Sequence, residues 1–222
     1  MSVPAQPSAT CVLIRDARTT PELEVLLLQR SSRLNFHGGA WVFPGGRVDL
    51  EDAGLDEISR AKSAALRETR EEAGLQLDAL ELRTDAHWVT PQGRPKRFRT
   101  WFFWAPAPAG RVEVDGGEVL SHRWLTPANA LAAHARVELE LPPPTFVTLT
   151  KLLPFKRIRE AMESLDEREP EYFTPRPVTV NDGIVSLYEG DAGYATEDVS
   201  AAGRRRRLIM PNAGAWRFED FD

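Results

Sequence analysis

The residues best equipped for chemistry are Arg67, Glu68, Glu71 and Glu72. They sit in the run ALRETREEAGL from Ala65 to Leu75, which follows FPGGRVDLED from Phe43 to Asp52. Carboxylates spaced i, i+3 and i+4 lie on one side of a helix, and three acids crowded there repel one another. A hard cation relieves that repulsion, and oxygen ligands suit magnesium or manganese. At about 100° per residue, Ile58, Ala61, Ala65, Leu66, Thr69 and Ala73 form a mostly apolar stripe, with Glu68 at its edge and Glu72 inside it. A half-buried carboxylate is costly unless something offsets its charge. Arg67 lies one turn before Glu71 and can hold that carboxylate as an i, i+4 pair. The plain alternative is a solvated helix laced with charge pairs. The Gly45-Gly46 pair before the helix, the Gly74-Leu75 stop after it and Glu72 within the stripe argue against that alternative.

The elements that must position these groups can be read along the chain. Residues 1–8 read as a loose tail. Thr10–Arg15 and Leu23–Gln29 are strand-like, Ser31–Gly39 is a loop, and Ala40–Phe43 is a short strand ending at Pro44. After the glycine turn a helix is expected over about Asp56–Ala73, stopped by Gly74. Strands are expected over Leu75–Leu82, His87–Thr90, the aromatic run Phe98–Ala105, and Val119–Leu125. Thr126-Pro127 then opens a second helix to about Ala135. This order predicts an α/β protein, a mixed sheet sandwiched by helices. The reading divides the chain into the tail (1–8), one α/β domain (9–140) and an α+β extension (141–222). The extension starts at the break Pro142-Pro143-Pro144. It carries a helix over Thr145–Leu165 interrupted near Pro154, a proline-rich loop over Pro170–Pro177, and short strands at Val178–Val180, Ile184–Tyr188 and Arg207–Met210. The Arg204–Arg207 run reads as a solvated turn.

The box R-E-x-x-E-E-x-G-L preceded by P-G-G resembles the Nudix box, G-x5-E-x7-R-E-U-x-E-E-x-G-U with U aliphatic. That box marks hydrolases that split a nucleoside diphosphate linked to another group. Arg67, Glu68, Glu71, Glu72, Gly74 and Leu75 match, and Thr69 replaces an aliphatic residue. The interval from Gly46 to Arg67 is seven residues longer than the pattern, so the box acid falls on Asp52 and about Ala53–Ser59 are extra. The resemblance implies an α/β/α sandwich over about residues 8–140. It assigns Mg2+ or Mn2+ to Glu68, Glu71, Glu72 and a main-chain oxygen at Gly45, and gives Arg67 the role of orienting a carboxylate. A box glutamate (Glu68 or Glu71) or the later Glu118 would serve as general base. Arg30, Arg94 and Arg97 are the arginines expected on substrate phosphates. Trp88, Phe98 and Trp101 could stack on a base, although aromatic strand residues are more often core.

Upstream, Leu26-Leu27-Leu28-Gln29-Arg30-Ser31, Asn35, Gly39 and Phe43-Pro44-Gly45-Gly46 keep the register of the coenzyme A diphosphatase pattern L-L-T-x-R-[S/A]-x3-R-x3-G-x3-F-P-G-G. Leu28 replaces its Thr and Asn35 its second Arg. With the lengthened box, this is most similar to the branch containing the peroxisomal coenzyme A hydrolases. The expected substrate is coenzyme A or an acyl-CoA. The rivals are ADP-ribose or NADH, and, in another class, a nucleotide sensor without catalysis. The 222 residues carry a net charge of −5, which gives no bulk attraction to nucleic acid. A lone Cys11 excludes an intrachain disulfide. Neither a membrane span nor a secretory signal is visible, so a cytoplasmic protein is expected. His37, His87, His122 and His134 are scattered without metal-ligand spacing. Phe146, Leu149 and Phe155 in the extension offer apolar surface for a homodimer or for packing within the chain.

Overall fold

The computed structural model describes residues 3–18, 20–33 and 38–222; Asn35 and His37 lie outside them. The helix that matters most is α1, Glu57–Ala73. The Asp56 Oδ1 accepts the Ser59 N–H at 2.8 Å, and the Ser59 Oγ accepts the Asp56 N–H at 3.1 Å, a reciprocal cap. Gly74 ends the helix at φ 68°, where its N–H reaches the Arg70 carbonyl; glycine carries no Cβ penalty in that conformation.

The main sheet has eight strands: β1 (Gln6–Asp16), β2 (Leu23–Arg30), β3 (Trp41–Val42), β4 (Gly45–Arg47), β5 (Arg83–Val89), β6 (Phe98–Pro106), β7 (Val119–Leu125) and β8 (Glu171–Phe173). Its path is β3-β2-β1-β6-β5-β8, with β4 on β1 and β7 on β2. The pairs β1–β6 and β5–β8 are parallel and the others antiparallel, so the sheet is mixed. Alternation along β1 and β6 sends side chains to both faces. Ala9, Cys11, Leu13, Trp101 and Phe103 meet the small face of α1 at Ala61, Ala64, Ala65 and Ala73. Val12, Ile14, Phe102 and Trp104 meet the helices of the other face: α2 (Pro127–Ala135), α3 (Pro143–Leu152) and α4 (Ile158–Asp166). The fold is therefore the expected α/β/α sandwich, followed by a four-stranded antiparallel sheet of β9 (Arg176–Val180), β10 (Gly183–Leu187), β11 (Arg205–Pro211) and β12 (Arg217–Phe221), in the order β12-β11-β10-β9.

Several expectations need correction. β1 begins at Gln6, inside the segment read as a tail, because β6 pairs with it from Phe98 onward and β4 covers Ser8–Thr10. Leu75–Leu82 forms no strand. Asp78 accepts the Leu80 N–H at 2.9 Å and winds a 3-10 turn over Ala79–Glu81, a local bond that competes with a ladder. Pro170–Pro177 is not a loop throughout, since β8 and the start of β9 fall within it. Pro177 is tolerated because β9 is an edge strand. β12 carried too little apolar pattern to be expected. Arg205–Arg207 of the Arg204–Arg207 run begin β11, so the run is not a solvated turn. Arg207 is buried and grips Asp191 through Nη2–Oδ1 at 2.6 Å and Nε–Oδ2 at 2.7 Å, while Arg206 pairs with Glu171 at 2.8 Å.

The extension is joined to the main sheet by more than β8. A bulge in β5 between Thr84 and Ala86 re-aims Asp85 inward, where it is fully buried. Its Oδ1 receives Lys151 Nζ at 2.7 Å and Arg168 Nη2, and both cations also reach Glu171 Oε1. Trp88 stacks on Phe173 at 3.9 Å. Phe146 and Leu149 are buried in the core and Phe155 packs against it, so the surface that suggested a homodimer is covered within the chain.

Candidate active site

Two glycines with different neighbours set up the site. Gly45 lies so close to β1 that a Cβ would overlap the Ala9 carbonyl and the Thr10 backbone; at Gly46 a Cβ would overlap the Glu68 carboxylate. The glycine pair thus lets β4 run between β1 and α1. The Gly45 N–H donates to Glu72 Oε2 at 2.9 Å, which satisfies one oxygen of a carboxylate only 6% exposed.

Arg67 is the hub of the acids. Its Nε and Nη2 meet Asp52 Oδ1 and Oδ2, each at 3.1 Å. Its Nη1 meets Glu68 Oε1 at 2.9 Å and Glu71 Oε2 at 3.0 Å, and its Nη2 reaches the Arg47 carbonyl at 2.9 Å. Asp52, whose role the sequence left open, is thereby a buried, bidentate partner of Arg67. The lengthened box leaves this cluster undisturbed because its loop is tied down. Asp52 Oδ2 accepts the Asp49 N–H at 2.7 Å. Arg60 donates to the carbonyls of Asp52 and Asp49 at 3.2 and 2.7 Å, and the Ser63 hydroxyl donates to the Ala53 carbonyl at 2.7 Å.

The electrostatics follow from this arrangement. Burial pushes the Glu72 carboxyl up, and the neighbouring Glu68 and Glu118 add to it. The Gly45 N–H and Arg30 oppose the rise, and the result is about 7. Burial also raises Glu68, against the pull of Arg67. Burial would raise Asp52 as well, but the bonds from Arg67 and Asp49 overcome it and leave that carboxyl below its usual range. Burial takes the Cys11 thiol up to about 12, so it is an inert core residue.

The acids open onto a cleft of about 960 Å³, whose lining includes Arg30, Phe43, Glu68, Glu72, Lys96 and Glu118. Arg30 is turned toward it at a register shift in β2 between Gln29 and Arg30. Its buried Nε has no hydrogen-bond partner among the described residues. Glu118 follows a turn in which Asp115 accepts the N–H groups of Gly117, Glu118 and Val119 at 3.3, 2.9 and 2.8 Å. Arg97 borders the cleft, but its guanidinium donates to the carbonyls of Thr90, Pro91 and Val3 at 3.1, 3.2 and 2.8 Å, which fixes the β5–β6 turn. Arg94 is exposed in that turn and does not border the cleft, whereas Lys96 does. Phe98 also lines the cleft, while Trp88 and Trp101 are core. His87, His122 and His134 do not converge.

The structure thus brings together Arg30, Gly45, Arg67, Glu68, Glu71, Glu72 and Glu118. The sequence reading missed Lys96, Arg47, Asp49 and Asp115 at the rim. Asp115 was discoverable, because Asp before Gly-Gly is a turn signature; the others are single charges with no distinguishing pattern. The donor set suits a hard divalent cation. Glu68 Oε2, Glu71 Oε1 and Glu72 Oε1 take no hydrogen bond among the described residues, while the opposite oxygen of each is held. Among the described residues, no three His, Cys, Asp or Glu side chains already close into a metal cage.

The NUDIX domain family matches residues 4–144, well over half the chain. The chain belongs to the Nudix family. This Nudix chain is 25% identical to the acyl-coenzyme A diphosphatase NUDT19 of Xenopus laevis, over 87% of this chain and 77% of the relative. It is 26% identical to the putative nudix hydrolase 7 of Caenorhabditis elegans, over 78% and 70% of the two chains. Among solved structures, a NUDIX hydrolase from Alicyclobacillus acidocaldarius superposes with a TM-score of 0.67 at 26% identity, covering 73% of this chain and 97% of its own. The protein is a hydrolase of this family, with the fold the box implied.

Proposed function

We propose that this Nudix hydrolase splits the diphosphate of coenzyme A or an acyl-CoA, using Mg2+ or Mn2+, to give a 4′-phosphopantetheine product and adenosine 3′,5′-bisphosphate. One observation carries the reading: Glu68, Glu71, Glu72 and Arg30 line the same cleft. The three acids come from the box, and Arg30 comes from the LLLQRS–FPGG run that resembles the pattern of coenzyme A diphosphatases. The similarity to NUDT19 along most of the chain supports it.

Glu68, Glu71 and Glu72 would hold the ion, which neutralises phosphate charge and acidifies water at such sites. Arg67 holds Glu68 and Glu71 in place, and Asp52 holds Arg67. Arg30, whose Nε has no partner among the described residues, answers the charge on the phosphoryl oxygens as the anhydride P–O bond breaks. Glu118 takes a proton from the attacking water, whose oxygen becomes part of the new phosphate. Glu118, not a box glutamate, is the better base because Arg67 already holds Glu68 and Glu71. The Nudix domain over 9–140 carries this chemistry, and the extension over 141–222 adds α3 and α4 to one helical layer and braces the β5 edge with β8. The partner is a small nucleotide. No helix among the described residues is long and apolar enough to cross a membrane.

The test is turnover of coenzyme A, acyl-CoA, ADP-ribose and NADH with Mg2+ or Mn2+, with products separated by chromatography. Adenosine 3′,5′-bisphosphate from coenzyme A, lost with a chelator and restored by the ion, is the expected result. Preferred cleavage of ADP-ribose or NADH would refute the substrate, and tight nucleotide binding without any turnover would refute the enzyme.

A further inference from the structure

The Asp115-Gly116-Gly117-Glu118 turn is held by one side chain. Asp115 Oδ2 accepts the N–H groups of Gly117 and Glu118, and Asp115 Oδ1 accepts that of Val119. Gly116 takes φ 71°, which lets the chain fold back so that its N–H meets the Val119 carbonyl at 3.1 Å. At the other end, the Glu118 carbonyl accepts the Ser31 N–H at 2.7 Å. Ser31 follows Arg30, which the shift in β2 turns into the cleft. One backbone hydrogen bond therefore ties the segment that carries the cation Arg30 to the segment that carries the acid Glu118, and Asp115 fastens the free side of the second. Without that carboxylate, three N–H groups lose their acceptor, and the turn is two glycines long, the most permissive backbone available.

We propose that Asp115 is a positioning residue, which fixes Glu118 against Arg30 and the α1 carboxylates by capping three consecutive amides of its turn. It borders the cleft, but both of its carboxylate oxygens are taken up by the turn amides, so it acts through Glu118. The inference rests on the proposed role of Glu118, and it holds for whichever nucleoside diphosphate derivative the cleft accepts.

The experiment compares wild type, Asp115→Ala, Asp115→Asn, Glu118→Gln and the Asp115→Ala/Glu118→Gln pair on the best substrate of the panel above. A displacement of about 1 Å at a reacting group can cost about 100-fold. Asp115→Ala should therefore lower kcat by about 10- to 100-fold, with KM held within about threefold. Asp115→Asn keeps one accepting oxygen and should recover part of the loss. Residues that act as one unit are not additive, so the double variant should be no slower than Glu118→Gln alone. Thermal melting serves as the fold control. Losses that multiply in the double variant would overturn the proposal, as would Asp115→Ala turning over at the wild-type rate. Glu118→Gln with wild-type turnover would overturn it by removing the base. A substrate other than coenzyme A would refute the reading above and leave this comparison to be scored on that substrate.

Discussion

Glu72→Gln separates what the buried carboxylate costs from what it does. The substitution keeps the shape and an oxygen to accept the Gly45 N–H, and it removes the charge. Burial, with Glu68 and Glu118 nearby, lifts the folded carboxyl from 4.5 to about 7. The folded chain thus binds that proton more tightly than the unfolded one. The stability this contributes is fully present below pH 4.5 and is lost as pH rises through about 7. At about 1.4 kcal/mol per pH unit, the rise from 4.5 to about 7 comes to about 3.5 kcal/mol. Glutamine cannot ionise and avoids that loss. Without metal at pH 8, Glu72→Gln should melt roughly 7–14 °C above wild type, at about 2–4 °C per kcal/mol for a chain of this size. At pH 4.5 the two should coincide. Turnover with Mg2+ or Mn2+ should fall by about 100-fold or more, the scale of losing one charge-stabilising group. Calorimetric melts in chelator at both pH values, beside steady-state rates, decide the matter. A metal-free variant that melts at or below wild type at pH 8 would refute the burial argument, and wild-type turnover would refute the site.

The paired glycines should fail differently. Gly46→Ala displaces the Glu68 carboxylate and should lower kcat by about 100-fold with little change in melting. Gly45→Ala meets β1 backbone that cannot yield, and should cost about 1–3 kcal/mol of stability by overpacking. Asp52 lies below the usual carboxylate range because Arg67 and Asp49 outweigh its burial. Its stabilisation is present above pH ~4 and lost as pH falls through its folded value, so Asp52→Asn should melt lower at pH 7 and show a flatter acid limb in a melting series. Asp85→Ala strands Lys151 and Arg168 and should cost about 3 kcal/mol by denaturant titration, with kcat per folded molecule unchanged.

What could be read from the sequence was whatever depends on short spacing. Glu72 inside an alanine stripe, the Asp56 start and Gly74 stop of α1, and the acids one turn apart are local facts, and all are present in the fold. What could not be read depends on where the chain returns. Asp52 finds Arg67 fifteen residues on because Arg60 and Ser63 fold the lengthened loop onto α1. Charge alone could not tell Arg97, tied to three carbonyls, from Lys96 beside it on the cleft. Four successive arginines look like a solvated run until Asp191, Glu171 and Asp220 arrive from other segments. The extension makes the same point at the scale of the domain. β8 continues the main sheet in parallel beyond β5, and the Asp85 bulge that receives Lys151 and Arg168 lies on β5 itself. β5 in turn pairs with β6, whose Phe98 and Thr100 line the cleft. Removing the extension would therefore expose the β5 edge and leave a buried Asp85 without its cations. The candidate cleft lies one strand away on β6, and no residue beyond 141 lines it. Losing the whole extension would thus reach it through the sheet, whereas Asp85→Ala leaves β8 paired on β5 and changes stability alone.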